Sequence, residues 1–493
     1  MDGVYTDVVG KLKKYYQMTE NFKIIGEWFL PSNPGKRVHG TLEFKQEEGI
    51  TLEIYGSLTS DIFFPELIDQ EIILGLTSKS KQITLYGCNM TSSGGATLVQ
   101  GRESGKSSVS YSILYALEGL YVNEPSELLF DKVTCEIFNL DEWVGISGFD
   151  MPLDFEKIKK HEINVNYKLP EPIEFKIDNE AHGRFYFTAN HPGVNIYQKT
   201  INVTQKVKFQ VNTKTEKKID DLLSYVFSFQ NFLILALYRS TYPLKIKLFG
   251  EKHKETLRDG ETNRKTIELF FSSSNLNKAN KAKLDFDMIF TYRGIKDKFP
   301  DIIQKWYSHY ELLEPALNLV FEQFYNGNRF NENTFLNLAQ AAETFHARTN
   351  NYTKIPREEY KEMKEEILKL TPSKYHKWLK DQFNFGNNLN LQLRLEDLIH
   401  KYSNTILDKI IPDKEIFVKQ VKHSRNYYTH YSTSSKKNAL KGGELFYLSE
   451  KLKILLVCAF LIEIGFDKEL ITRNLDNVKW RLFNHLANWR DDK

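Results

Sequence analysis

The sequence predicts an α+β multidomain protein: a β-rich, sandwich-like N-terminal half carrying one helix, followed by an all-α C-terminal bundle. Three observations predict it. Short runs in the first half alternate apolar and polar residues. Near residue 300 the apolar period lengthens to that of a helix. At 493 residues the chain is also too long for one ordinary hydrophobic core, so two or three domains are expected. The boundary is placed to give domains of residues 1–298 and 299–493.

In the first half, Val38-His39-Gly40-Thr41-Leu42-Glu43-Phe44 and Ile50-Thr51-Leu52-Glu53-Ile54-Tyr55 flank the turn-like Glu47-Glu48-Gly49, a β-hairpin pattern. Further strands are expected at Gln82 to Tyr86, Ser110 to Leu117, Lys132 to Phe138, Arg184 to Thr188, Lys206 to Val211, Leu244 to Leu248 and Phe286 to Tyr292. One helix interrupts them from Ile219 to about Tyr238, where Leu222, Val226, Phe229, Leu233 and Leu237 recur on one face. Trp28 and Trp143 are expected as core anchors rather than ligand platforms.

From Asp301 onward helices follow one another. Trp306, Tyr310 and Leu313 start one, and Phe335, Leu338, Ala342 and Phe345 mark the next. Glu359 to Leu370 has helix-forming composition and ends at Thr371-Pro372. Leu391 to Ile406, Ile416 to Tyr431, Leu448 to Ile464 and a final stretch to Trp489 complete the bundle. Ser432 to Gly443, rich in serine, lysine and glycine, reads as a mobile loop.

Composition narrows the function. Hydrophobic residues at 41% and charged residues at 27% describe an ordinary globular chain, and a net charge of +3 gives no global attraction to nucleic acid. Cys88, Cys135 and Cys458 are scattered without zinc-ligand spacing, which fits a reducing compartment. No signal peptide is evident at the start, and the apolar run Ile454 to Ile462 is far short of the roughly 20 residues of a bilayer span. A cytoplasmic protein with no membrane partner, no metal and no cofactor is expected. His161, His182 and His191 lie apart from any cysteine, and Glu343 with His346 reads as a surface or interhelical pair on one helical face. Gly101-Arg102-Glu103-Ser104-Gly105-Lys106-Ser107 imitates a phosphate-binding loop. It has three residues between its glycines where four are needed, and it leads into a strand, so a hairpin loop is expected.

Chemistry concentrates in Arg425-Asn426-Tyr427-Tyr428-Thr429-His430. Arginine grips phosphate with a planar fork of donors, and histidine can give or take a proton near neutrality. Phe417, Val421, Ser424, Tyr428 and Tyr431 form the expected packing stripe of this helix, while Asn426 and His430 share another face. At 3.6 residues per turn, Arg425 and His430 diverge by about 140°. Either the arginine swings round on its long stem, or a second copy of the helix completes the site. Between Lys414 and Lys441 the cations are Lys414, Lys419, Lys422, Arg425, Lys436, Lys437 and Lys441, against Glu415 alone. Such a patch attracts a phosphate backbone, with Lys422 a candidate phosphate contact and Tyr427 a candidate base platform.

The spacing of arginine, asparagine, three residues and histidine on the penultimate long helix of a bundle resembles the ribonuclease motif of the HEPN superfamily. Leu336 to His346 upstream and Leu452 to Phe466 downstream fit the same pattern. Together with Glu27-Trp28-Phe29-Leu30-Pro31, Val38 to Phe44 and Trp143-Val144-Gly145 in the β-rich half, the chain resembles the ApeA family of bacterial anti-phage proteins along nearly its whole length. The resemblance implies a metal-independent endoribonuclease of abortive infection that damages RNA, with tRNA a plausible target. It implies homodimerisation with motif helices face to face. His430 would be the acid/base group, Arg425 the phosphate and transition-state clamp, and Asn426 the residue orienting both. The β-rich half would sense a phage-derived trigger or restrain the nuclease. The alternative is a non-catalytic RNA-binding or infection-sensing protein whose bundle only dimerises.

Overall fold

The computed structural model describes residues 18–482, apart from 47, 60–68, 94–96, 100–101, 105–107, 153–154, 191, 193–198, 257–259, 273–281, 283, 326–329, 352, 404, 432 and 434. The N-terminal half is built from antiparallel strands, of which six form a closed barrel: β1 (Phe22–Leu30), β2 (Asn33–Lys45), β3 (Gly49–Tyr55), β4 (Gln70–Thr77), β5 (Gln82–Ser93) and β6 (Ser108–Glu118). Six more extend an open sheet: β7 (Leu129–Ile137), β8 (Ile173–Lys176), β9 (Ala181–Ala189), β10 (Gln205–Lys218), β11 (Pro243–Phe249) and β12 (Ile267–Phe270). Their order is β8-β9-β10-β7-β11-β12-β6-β3-β2-β1-β4-β5, with β5 pairing back onto β6.

The strand β6 makes both layers possible. One edge pairs with β5, closing the barrel. The other edge is divided: Ser108 to Ile113 pairs with β3, and Ala116 to Glu118 pairs with β12. The sandwich-like expectation thus becomes a barrel that opens into a sheet. Strict alternation produces the barrel wall, with Phe22 and Ile24 inside and Lys23 and Ile25 outside along β1. Trp28 fills the interior and is fully buried. A β-carbon at Gly75 would lie 2.2 Å from its ring, so only glycine admits that side chain there.

The open sheet is covered by α1 (Ile219–Leu237), packed with Phe229 stacked on Phe209 of β10 at 4.2 Å between centroids. This helix is long and apolar enough to cross a membrane, but here it is packed into the core. Beside it a short helix, Leu140–Val144, inserts Trp143. Trp143 meets Phe185, Phe229, Phe232, Tyr292 and Phe299 edge-on, with centroids 5.9–6.1 Å away.

Phe299 opens α2 (Phe299–Tyr325), the first helix of the bundle. Seven longer helices follow among the described residues: α3 (Glu332–Thr349), α4 (Arg357–Leu370), α5 (His376–Gly386), α6 (Leu391–Tyr402), α7 (Lys414–His430), α8 (Gly442–Glu463) and α9 (Lys468–Leu482). The central member, α8, is apolar on all sides and buries a continuous run from Lys451 to Leu461. The helices α3, α6, α7 and α9 pack around it. The bundle is not separated from the sheet: the Trp306 Nε1 donates to the Ser228 carbonyl and hydroxyl, both at 3.0 Å.

Several local expectations are corrected. Phe286 to Tyr292 is not a strand; a 3-10 turn (Asp285–Asp287) leads to a short helix (Tyr292–Ile295). Between them, Ile289 N donates to Ala236 O at 2.7 Å, satisfying the C-terminal end of α1 instead of a neighbouring strand. The helix expected through Ile406 stops at Tyr402. Helix α8 starts at Gly442, inside the expected mobile loop, and α5 has no counterpart among the expected helices. The loop itself is pinned where it is described: Leu440 N donates to Ser424 Oγ at 3.1 Å, and the Tyr428 hydroxyl donates to Leu440 O at 2.9 Å. Of the phosphate-loop imitation, residues 101 and 105–107 lie outside the described residues, and Arg102–Ser104 pairs with Thr97–Val99 as a short hairpin. His191 also lies outside the described residues, and the expected final stretch is described as α9 up to Leu482, with 483–489 outside.

Candidate active site

Helix α7 begins with Asp413, whose side chain accepts from Ile416 N at 2.8 Å. Its buried face is Phe417, Val418, Val421, Ser424 and Tyr428. Tyr431 does not continue that stripe. It ends the helix with a positive φ of 49° and is 65% exposed, so the chain turns away before its ring can pack inward.

The polar face of α7 lies along a seam with α3 and α6. Arg425 reaches across to α3, its Nη2 3.2 Å from Glu343 Oε2, with both side chains about one-third exposed. Its Nη1 donates to Asn426 Oδ1 at 3.4 Å. Glu343 is itself held in place by its backbone: Arg394 of α6 donates from Nη1 to the Glu343 carbonyl at 3.2 Å and from Nε to Leu389 O at 2.9 Å. One turn further along α3, buried His346 bonds through Nε2 to Asp397 Oδ2 of α6 at 2.8 Å. Burial lowers the imidazole pKa below its usual 6.5, against the opposing pull of the Asp397 carboxylate. The Glu343 and His346 pair is therefore interhelical, and the sequence position of Glu343 does not by itself mark it for the site.

His430 occupies the last turn of α7 and is exposed. Asn426 lies one turn back on the same helix. The guanidinium of Arg425 is drawn towards α3 by Glu343, so a single chain keeps the arginine and histidine apart, as helical geometry requires. Lys422 extends the polar seam, with Nζ donating to Gln392 Oε1 at 2.9 Å. Tyr427 is half-buried within an aromatic cluster, 5.0 Å from Tyr428 and 5.4 Å from Tyr431 between ring centroids, with Lys441 Nζ 5.9 Å over its ring. Trp28 and Trp143, the alternative ligand platforms, are both fully buried.

The seam holds the Arg425 guanidinium against the Glu343 carboxylate and leaves the His430 imidazole at an open helix end. Comparison with known proteins agrees with the architecture. A family model described as ApeA N-terminal domain 1 matches residues 23–306, and one described as Apea-like HEPN matches residues 336–470. No curated protein and no solved structure gives a match. With more than half of its length matched by the first model and its motif helix within the second, the chain belongs to the ApeA family of anti-phage proteins and carries a C-terminal HEPN domain.

Proposed function

We propose that this protein is a metal-independent endoribonuclease of bacterial phage defence, acting from the cytoplasm as a homodimer through its HEPN domain. The observation that carries the reading is the arrangement on α7: Arg425 directed by Glu343, Asn426 beside it, and His430 open to solvent one turn beyond. A second α7 facing the first would supply the histidine that one chain holds away from its own arginine.

The chemistry needs little else. RNA carries its own nucleophile, the 2′-hydroxyl, next to the scissile phosphate. One His430 removes the 2′ proton as O2′ attacks phosphorus, and the bond to the 5′-oxygen breaks. The His430 of the second chain returns a proton to that oxygen. Arg425 neutralises the developing charge on the phosphoryl oxygens, and Asn426 orients the guanidinium. The products are a 2′,3′-cyclic phosphate and a 5′-hydroxyl. DNA, which lacks the nucleophile, is not cut. The β-rich half supplies the response to a phage-derived trigger, and tRNA is a plausible substrate.

Purified protein incubated with total RNA and with tRNA, in excess chelator, tests this directly. Cleavage that persists in chelator and disappears in His430→Ala and Arg425→Ala supports the reading. Magnesium dependence, or a His430→Ala variant that cuts as well as wild type, rejects it. RNA binding without scission points instead to the non-catalytic sensor.

A further inference from the structure

Between α3 and α6 the chain leaves the bundle as a helical hairpin that contributes nothing to its core: no residue of α4 or α5 is buried. Its root is nevertheless fixed. Asn387, which is buried, accepts from Ile355 N and donates to Ile355 O, both at 2.9 Å. Lys354 N donates to Asn387 O at 3.1 Å, and the Tyr360 hydroxyl joins the two helices through Phe383 O at 2.9 Å. A helix of this length projects about 20 Å at 1.5 Å per residue.

Along that length the arm changes charge. The stem carries Glu358, Glu359, Glu362, Glu365 and Glu366 against Arg357, Lys361 and Lys364, a net charge of −2. From Ile367 to Lys380 there is no carboxylate, and Lys369, Lys374, Lys377 and Lys380 are all exposed. Among the described residues none of these four is paired with a carboxylate. At the same end Trp378 is 63% and Tyr375 49% exposed, with Lys374 Nζ 4.9 Å over the Tyr375 ring. The turn between the helices is stiffened by Thr371, whose hydroxyl donates to Ile367 O at 2.7 Å, and by His376 Nε2, 2.8 Å from Thr371 O.

We infer that this hairpin is an arm that binds single-stranded RNA away from the cleavage site, with its lysines on phosphates and Trp378 and Tyr375 stacking on unpaired bases. Unpaired lysines interleaved with exposed aromatics match the charge and flat faces of a single strand. They do not match the centre of a protein interface, from which lysine is depleted. The net-negative stem favours the polyanion less than the wholly basic tip does. The root is also coupled to the site, since Leu389 below the arm is bonded to Arg394, Arg394 to Glu343, and Glu343 to Arg425. That the ligand is RNA rather than another polyanion rests on the ribonuclease reading above.

The test uses the full chain in a His430→Ala background, so that bound RNA stays intact. Affinity for a fluorescent single-stranded oligoribonucleotide is followed by anisotropy at several salt concentrations. The triple variant Lys374→Ala/Lys377→Ala/Lys380→Ala should bind at least tenfold more weakly, with the salt slope reduced by about 0.7 for each phosphate that is no longer neutralised. Trp378→Ala should weaken binding by roughly tenfold and leave the slope unchanged. Circular dichroism and light scattering of the same samples report fold and mass. Unchanged affinity and slope in the triple variant overturn the inference. So does loss of the dimer with RNA affinity preserved, which would make the arm a contact between copies. Arm-dependent binding by a wild-type protein that never cuts RNA would support the arm while rejecting the nuclease.

Discussion

Two regions of the molecule use opposite physics. Where sheet and bundle meet, Trp143 and Trp306 are fully buried among aromatic rings, and the Trp306 ring N–H is handed to Ser228. On the seam of α3, α6 and α7, Glu343 and Arg425 form an ion pair that stays about one-third open to water. Burial of aromatic area is a main source of stability. A partly exposed ion pair contributes only about 0–1 kcal/mol. The junction therefore holds the fold, while the seam holds a geometry that stability alone does not explain. Substitutions in the two places should fail in different measurements.

The largest separation is expected at His430. His430→Ala should reduce RNA cleavage by roughly 10²–10⁴-fold, the usual contribution of a general acid or base. Its denaturation midpoint should match wild type, because the side chain is exposed. A large fall in stability would place His430 in the packing and not in the chemistry. Trp143→Ala should do the reverse, costing about 3–5 kcal/mol in urea denaturation. Since Trp143 touches Phe299 of α2 as well as Phe185 of the sheet, both halves should lose stability in one transition. Two well-separated transitions, with the bundle unaffected, would break the idea of a shared junction.

Glu343 sits between these extremes. Its carboxylate touches Arg425, so Glu343→Gln should leave stability within about 0.5 kcal/mol. Cleavage should fall about tenfold through kcat as the guanidinium loses its alignment, since small misplacements of a clamp are costly. Glu343→Asp should recover part of that loss. Faster cleavage by Glu343→Gln would instead make the carboxylate a restraint on the arginine.

How far the sequence was readable follows the same division. The hairpin about Gly49, the helix at Ile219 and the change of period near 300 were legible because each pattern is local. The divergence of Arg425 and His430 followed from the helical repeat alone. Phe286 to Tyr292 misled because its short apolar run Met288-Ile289-Phe290 is buried beside α1 without strand pairing, and such a run imitates a buried strand. Helix α5 was missed because it is short and none of its residues is buried, so no core called for it: Trp378 and Phe385 both stay exposed. The part played by Glu343 could not be read, as its partner lies 82 residues away along the chain. Closure of the barrel was equally hidden, since it depends on β6 serving three neighbours at once.

The smallest effect concerns acid. His346 on the seam and His253 in the β-rich half are both buried, and burial lowers each pKa below its usual 6.5. In the unfolded chain both titrate near 6.5. Between the folded and unfolded values the unfolded state binds more protons, so stability falls as pH drops through about 6.5 and levels off below the folded value. Each histidine can contribute at most about 1.4 kcal/mol per pH unit over that window. His346→Gln and His253→Gln should each make denaturation midpoints less sensitive to pH between 7 and 5, whatever each costs at pH 7. Asp397 opposes the effect of burial on His346, while His253 meets a backbone carbonyl at 3.1 Å, with Glu216 raising and Lys265 lowering its pKa from further away. If the His346→Gln slope equals that of wild type, the Asp397 contact cancels the burial in solution. The seam would then tolerate acid that the β-rich half does not.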